Sequence, residues 1–216
     1  MTDKEVKEII EAEFQNKTLG TTEQFLEIHS PVYFDNNINI ARIDREGDDE
    51  VITAYLPVLD EQFYFAVYID AKTNEIFNVG SESNNTVYFR ATSGNLTEHE
   101  LKSLTTLKPT KSWNKGDLRE NKKMKEKVSY IAFAPNPEPD EFEDKLRKLL
   151  DFLEQDEAGI RELVDKAEGY IQVAMDIHNG NGMIGGPTIN IDCISRMKNL
   201  GLEINFDLYV GGNSFK

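Results

Sequence analysis

The sequence predicts an α+β protein in two parts: an N-terminal helix on an antiparallel meander, then a ferredoxin-like β-α-β-α-α-β-α-β sandwich. Three observations carry this. Val6, Ile9, Ile10 and Phe14 recur at helical spacing. Residues 38–79 then switch to short β-branched and aromatic runs broken by polar turns. Beyond residue 86, strand-like and helix-like runs alternate.

Each element has its own signal. Thr2 or Asp3 caps the first helix, and Gly20 with the threonines after it breaks the pattern. Ile38, Ile40 and Ile43 form one strand, Val51 to Val58 another and Phe63 to Ile69 a third. The turn 70–75 leads into Ile76 to Val79. Residues 1–80 therefore read as one acidic helix-plus-sheet domain, 81–86 as a polar linker, and 87–216 as a ferredoxin-like α+β domain. In the latter, Val87 to Ala91 is a strand and Thr97 to Leu107 a helix. Val128 to Ala134 is a strand closed by prolines, and Asp140 caps a helix with Phe142, Leu146, Leu149, Leu150 and Leu153 on one face. Gly159 interrupts that helix, and Ile160 to Ala167 continue as a second. Tyr170 to Ile177 is a strand, Ile191 to Leu200 a helix ended by Gly201, and Leu202 to Tyr209 the last strand.

The run Lys108-Pro109-Thr110-Lys111-Ser112-Trp113-Asn114-Lys115-Gly116-Asp117 is followed, near the C-terminus, by a helix, a Leu200-Gly201 turn and a strand through Tyr209. Together these resemble a bacterial domain family of unknown function with a Pro-Thr-x-x-Trp-x-Lys-Gly-Asp signature. The resemblance covers about 86–210 and leaves the front half outside it. It supplies no catalytic residues. By analogy with small acidic bacterial proteins, it implies an immunity protein, which protects a cell by binding a toxin.

Charge is unevenly spread. The net charge is −15; residues 1–85 hold 6 Lys and Arg against 18 Asp and Glu, and residues 86–216 hold 18 against 21. An acidic front half repels phosphate, so nucleic acid and anionic membranes are not expected partners, whereas a basic protein is. The structural alternative is that the charge serves solubility alone. No apolar run reaches the length of a membrane span, and one cysteine cannot form an internal bridge, so a reducing, cytoplasmic setting is expected.

Familiar chemistries find little support. Gly180-Asn181-Gly182-Met183-Ile184-Gly185 spells a G-x-G-x-x-G after a strand, but Gly186-Pro187-Thr188 separate it from the next helix. Trp113 and Lys115, with Gly182 and Gly185, are the candidate residues of an anion- or nucleotide-binding loop. Trp113 could equally pack its ring on the sheet, and the cations of 108–127 could form a solvated loop. His29, His99 and His178 are scattered, without zinc-ligand spacing. Cys193 reads as a small hydrophobe. No catalytic residue, metal or cofactor is assigned. The expected function is a non-enzymatic binding protein, with Asp48, Asp49, Glu50, Asp60 and Glu61 on exposed turns meeting a basic toxin or similar protein. The oligomeric state is left open.

Overall fold

A computed structural model describes residues 1–46, 50–119, 123–180 and 186–215. The class is α+β. Helix α1 (Asp3–Asn16) opens with a capping box, in which Thr2 accepts from the Glu5 N–H and the Glu5 carboxylate accepts from the Thr2 N–H. It buries Val6, Ile10 and Phe14. A second helix follows where the sequence reading placed only a break: α2 spans Gly20–Ile28. Buried Glu13 makes the tight corner between the two helices. Its carboxylate accepts from the Thr18 and Leu19 N–H groups and from the Thr22 hydroxyl, at 3.3, 3.1 and 2.5 Å. Burial alone would raise its pKa; these bonds hold it below the usual carboxylate value.

A two-residue hairpin, β1 (Tyr33–Phe34) and β2 (Asn37–Ile38), turns through Asp35 and Asn36 at φ of 49° and 61°. Strands β3 (Arg42–Asp44), β4 (Val51–Pro57), β5 (Tyr64–Asp70) and β6 (Ile76–Glu82) then pair as an antiparallel meander in sequence order. Phe14, Phe25 and Phe65 meet edge to face in the core between helices and sheet.

The expected linker is strand. β6 runs to Glu82, β7 (Asn84–Ser93) starts at Asn84, and Ser83 alone separates them. The polar composition of 81–86 reflects a polar interior wall. Buried Asn85 donates to the Asp140 carbonyl at 3.0 Å and accepts from the Ser83 hydroxyl at 2.8 Å.

After β7 come α3 (Glu98–Ser103), β8 (Lys111–Trp113), β9 (Ser129–Phe133), α4 (Phe142–Leu153), α5 (Glu157–Lys166), β10 (Glu168–His178), α6 (Ile191–Leu200) and β11 (Ile204–Gly211). The sheet order is β11-β10-β7-β9-β8, antiparallel except for the parallel β10–β11 pair. Strands β7 to β10 thus follow split β-α-β connectivity, with β11 added at one edge by the α6 crossover. Phe89, Ile131, Phe133, Ile171 and Val173 pack against Leu101, Leu149, Leu150, Leu163 and Met197 of the helices.

Four expected details change. Ile38 and Ile43 belong to separate strands, β2 and β3, rather than to one, and Ile40 lies between them. The helix expected over Thr97 to Leu107 is confined to α3. The break between α4 and α5 lies at 154–156, not at Gly159; Asp156 caps α5 by accepting from the Gly159 N–H at 3.1 Å. A Cβ at Gly159 would collide with that carboxylate. Asp156 also accepts from the Thr106 N–H at 2.6 Å and the Thr105 hydroxyl at 2.8 Å, and its pKa falls to about 2. The N-cap position of α4 belongs to Glu141, while Asp140, one residue earlier, faces the front half.

The halves meet through three sets of contacts. Arg42 Nη1 lies 2.9 Å from Asp140, and Lys148 Nζ lies 2.8 Å from Glu46 and 3.0 Å from Asp140. His29 and His178 touch through their Nε2 atoms at 3.2 Å. Residues 212–215 return to the front half, where Asn213 donates to the Ile28 carbonyl at 2.9 Å and Phe215 sits edge-on to Phe25.

Candidate functional site

A cavity of about 450 Å³ opens at this junction. The end of β6 and start of β7 supply Ser81, Glu82, Ser83 and Asn85; the start of α4 supplies Glu141 and Glu143; the end of β10 supplies His178. Phe25, Phe142, Met175 and Phe215 form the apolar part of the wall.

Three carboxylates dominate its electrostatics. Glu82 is half-buried, and its carboxylate accepts from the Tyr68 hydroxyl at 2.5 Å. Burial raises its pKa, Tyr68 opposes that, and Glu143 adds to it. Glu141, open to solvent on one side, is raised by partial desolvation and then by Glu82. Glu143 accepts from the Thr188 N–H at 2.8 Å. No lysine or arginine pairs with any of the three among the described residues.

Beside the cavity, both histidines are buried. The Asn213 N–H donates to His29 Nε2 at 3.2 Å, so His29 carries its proton on Nδ1, 3.9 Å from Glu61. His178 Nε2 lies 2.9 Å from the Asn213 carbonyl and donates to it, leaving Nδ1 to accept from the Ser81 hydroxyl at 3.4 Å. Phe25, Phe63 and Phe215 surround the His178 ring. Burial lowers the His29 pKa, with His178 adding to the effect and Glu61 opposing it.

The sign of the resulting pH dependence follows. With a folded-state pKa below its ordinary 6.5, His29 takes up a proton more readily when unfolded. Its contribution is complete above 6.5 and is lost as pH falls from there through the lowered folded value. The raised pKa values of Glu82 and Glu141 act oppositely, adding stability as pH falls toward 4.5. Urea midpoints of the wild type and His29→Gln at pH 7.5 and 5.5 isolate the histidine. The wild type should lose more stability on acidification than the variant; equal losses would refute the assignment.

The predicted site residues are dispersed. Asp60 and Glu61 lie in the β4–β5 turn, and they share a smaller cavity of about 350 Å³ with Leu26, Glu27, Leu59 and Asn213. Glu61 thereby approaches His29. Glu50 has φ of 56° and pairs with Lys72. Asp48, Asp49, Gly182 and Gly185 lie outside the described residues. Trp113 is on β8, three strands along the sheet from β10, which leads into the glycine loop. Its ring stacks on Tyr130 at 3.9 Å, and Lys115 Nζ donates to the Gly94 carbonyl. Among the described residues, this pair lies away from the end of β10. Asn190 already caps α6, accepting from the Cys193 N–H at 2.8 Å.

Oxygens of Asp44, Asp140 and Asp144 lie within 4.8 Å of one another, the spacing of a metal site. Arg42 binds Asp44 at 3.0 Å and Asp140 at 2.9 Å, so a side-chain cation already occupies that position. Cys193 lies in the second-half core, and burial raises its pKa.

The match to a known family covers residues 82–211, beginning at the last residue of β6 and ending with β11. The chain belongs to the family described as a domain of unknown function, DUF4279. No curated protein and no solved structure matches the chain. The family's extent divides the cavity: Glu82, Asn85, Glu141, Glu143 and His178 lie inside it, whereas Phe25, Ser81 and Phe215 lie outside. Among the described residues, no helix is long and apolar enough to cross a membrane.

Proposed function

We propose that this is a non-catalytic binding protein that captures a basic protein partner. Its acidic front half attracts the partner, and the junction cavity receives a lysine or arginine side chain. The observation that carries this reading is the convergence of Glu82, Glu141 and Glu143 on one cavity in which, among the described residues, no lysine or arginine pairs with them. A guanidinium or ammonium group would relieve their mutual repulsion, while Phe25 and Phe142 would cover its alkyl stem. The charge distribution supports the same reading. Lys4, Lys7, Arg42, Arg45 and Lys72 each pair with a carboxylate within the front half. Among the described residues, the second half returns only Lys148, to Glu46. The front half's excess of carboxylates therefore stays uncompensated and steers encounter. The concrete form is an immunity protein that neutralises a basic toxin, such as a nuclease, by direct binding.

Affinity capture from cell extract tests the reading by comparing the wild type with a Glu82→Gln/Glu141→Gln double variant at low and high salt. The wild type should retain a basic protein that salt releases. The variant should retain it roughly 10-fold or more weakly, the loss expected when a desolvated charge pair is broken. Equal retention by both proteins at both salts would overturn it.

A further inference from the structure

We infer that two copies of this chain associate through the outer edge of β11, joining their five-stranded sheets into one. The four edges of the two larger sheets differ in how they are protected. β3 and β8 are three residues long and carry charge, through Arg42 and Asp44 on one and Lys111 on the other. β6, at the end of the meander, has α2 packed against it. Among the described residues, β11 is neither short nor covered by a helix along its outer edge. It is eight residues long, contains no proline, and its one charge is Asp207. An edge of that length offers unpaired N–H and C=O groups, and proteins ordinarily block such an edge against other chains.

The surface around the edge is apolar. Leu208, Tyr209 and Val210 are 49, 56 and 50 % exposed, and Ile191 and Ile194 on α6, the crossover helix into this strand, are 77 and 46 % exposed. These are five of the eleven large hydrophobics exposed on the described protein, and they fall on two elements consecutive in the chain. Burying all five on both copies would remove on the order of 1,000 Å² of surface, about the smallest area of a specific interface.

The occupant is a second copy because the strand is complementary to itself. Two-fold symmetry sets β11 antiparallel to its mate. Ile204 and Phe206 pack on the helix side, so Leu208 and Val210, of the same parity, share that side, while Asp207 and Tyr209 face the other way. A register centred on Leu208 places Phe206 across from Val210 and Asp207 across from Tyr209. It forms a continuous apolar stripe flanked by both α6 helices. Centring on Asp207 would oppose two carboxylates and is disfavoured. Electrostatics agree, since the acidic excess lies in the front half while this edge carries little charge.

Sedimentation equilibrium of the full chain should give a dimer at micromolar concentration. Leu208→Lys should weaken it roughly 100-fold, as loss of a central apolar anchor from both copies does. Ile194→Glu, on the exposed side of α6, should also weaken it; circular dichroism of both variants checks that they are folded. In a Cys193→Ala background, Leu208→Cys should form an intermolecular disulfide on mild oxidation. A wild-type monomer at 100 μM would overturn the inference. So would a dimer that survives both substitutions, or one in which the introduced cysteines fail to join. A monomer whose β11 amides are protected from exchange only when another protein is added would assign the edge to that protein instead.

Discussion

Replacing Asp140 with alanine should destabilise the protein by about 3–5 kcal/mol, as removal of one member of a buried ion cluster does. The Asp140 side chain is fully buried and lies between Arg42 and Lys148, with the Asn136 amide donating to the same oxygen at 2.7 Å. Burial alone would raise its pKa, and the two cations hold it below the ordinary value. Without the carboxylate, Arg42 would remain enclosed beside the Pro139 carbonyl with Asp44 as its principal counter-charge. The loss should appear in chemical unfolding as a lower midpoint. Because this cluster joins two separate hydrophobic cores, the single transition should also broaden or split. An Arg42→Met/Asp44→Asn/Asp140→Leu triple variant should lose less than the single variant, since none of these three enclosed groups is then left charged and unpaired. A loss under 1 kcal/mol for Asp140→Ala would show that the cluster is not a stabilising link.

Phe65→Ala should have a comparable effect, about 3–5 kcal/mol, by a different mechanism. Phe65 is fully buried on β5, and the Phe14 and Phe25 rings meet it edge-on at 6.1 and 5.7 Å. Its removal leaves a cavity under both N-terminal helices. α2 also delivers Phe25 and His29 to the junction, so retention of a basic partner should fall along with stability. A Phe65→Leu variant separates the two effects, since it restores most of the volume but not the ring geometry. It should recover most of the lost stability. If it is as unstable as Phe65→Ala, the aromatic contacts themselves hold the helices.

The strands of the meander and the amphipathic helices were legible because each buries one face, and burial imposes periodicity on the sequence. Helix α2 was not. Its start is fixed by Glu13, a residue on the preceding helix, through hydrogen bonds that leave no local pattern. The stretch 81–86 misled for a related reason. Serine and asparagine mark a solvated linker in most chains, but here they line a polar interior wall, which composition cannot distinguish. Asp60 and Glu61 fall near the junction histidines, yet the pairing of His29 with His178 spans 149 positions and follows no motif spacing. Glu82, Glu141 and Glu143 were hidden among 39 acidic residues, and only the fold singles them out.

The single-residue joint at Ser83 has a mechanical consequence. Two sheets connected without slack cannot swing apart like jaws; their relative freedom is a twist about that one peptide segment. The cavity is built on the joint itself, from Ser81 to Asn85. Anything lodged there would act as a wedge against torsion, and by linkage it should raise the midpoint of the single transition in which both cores melt.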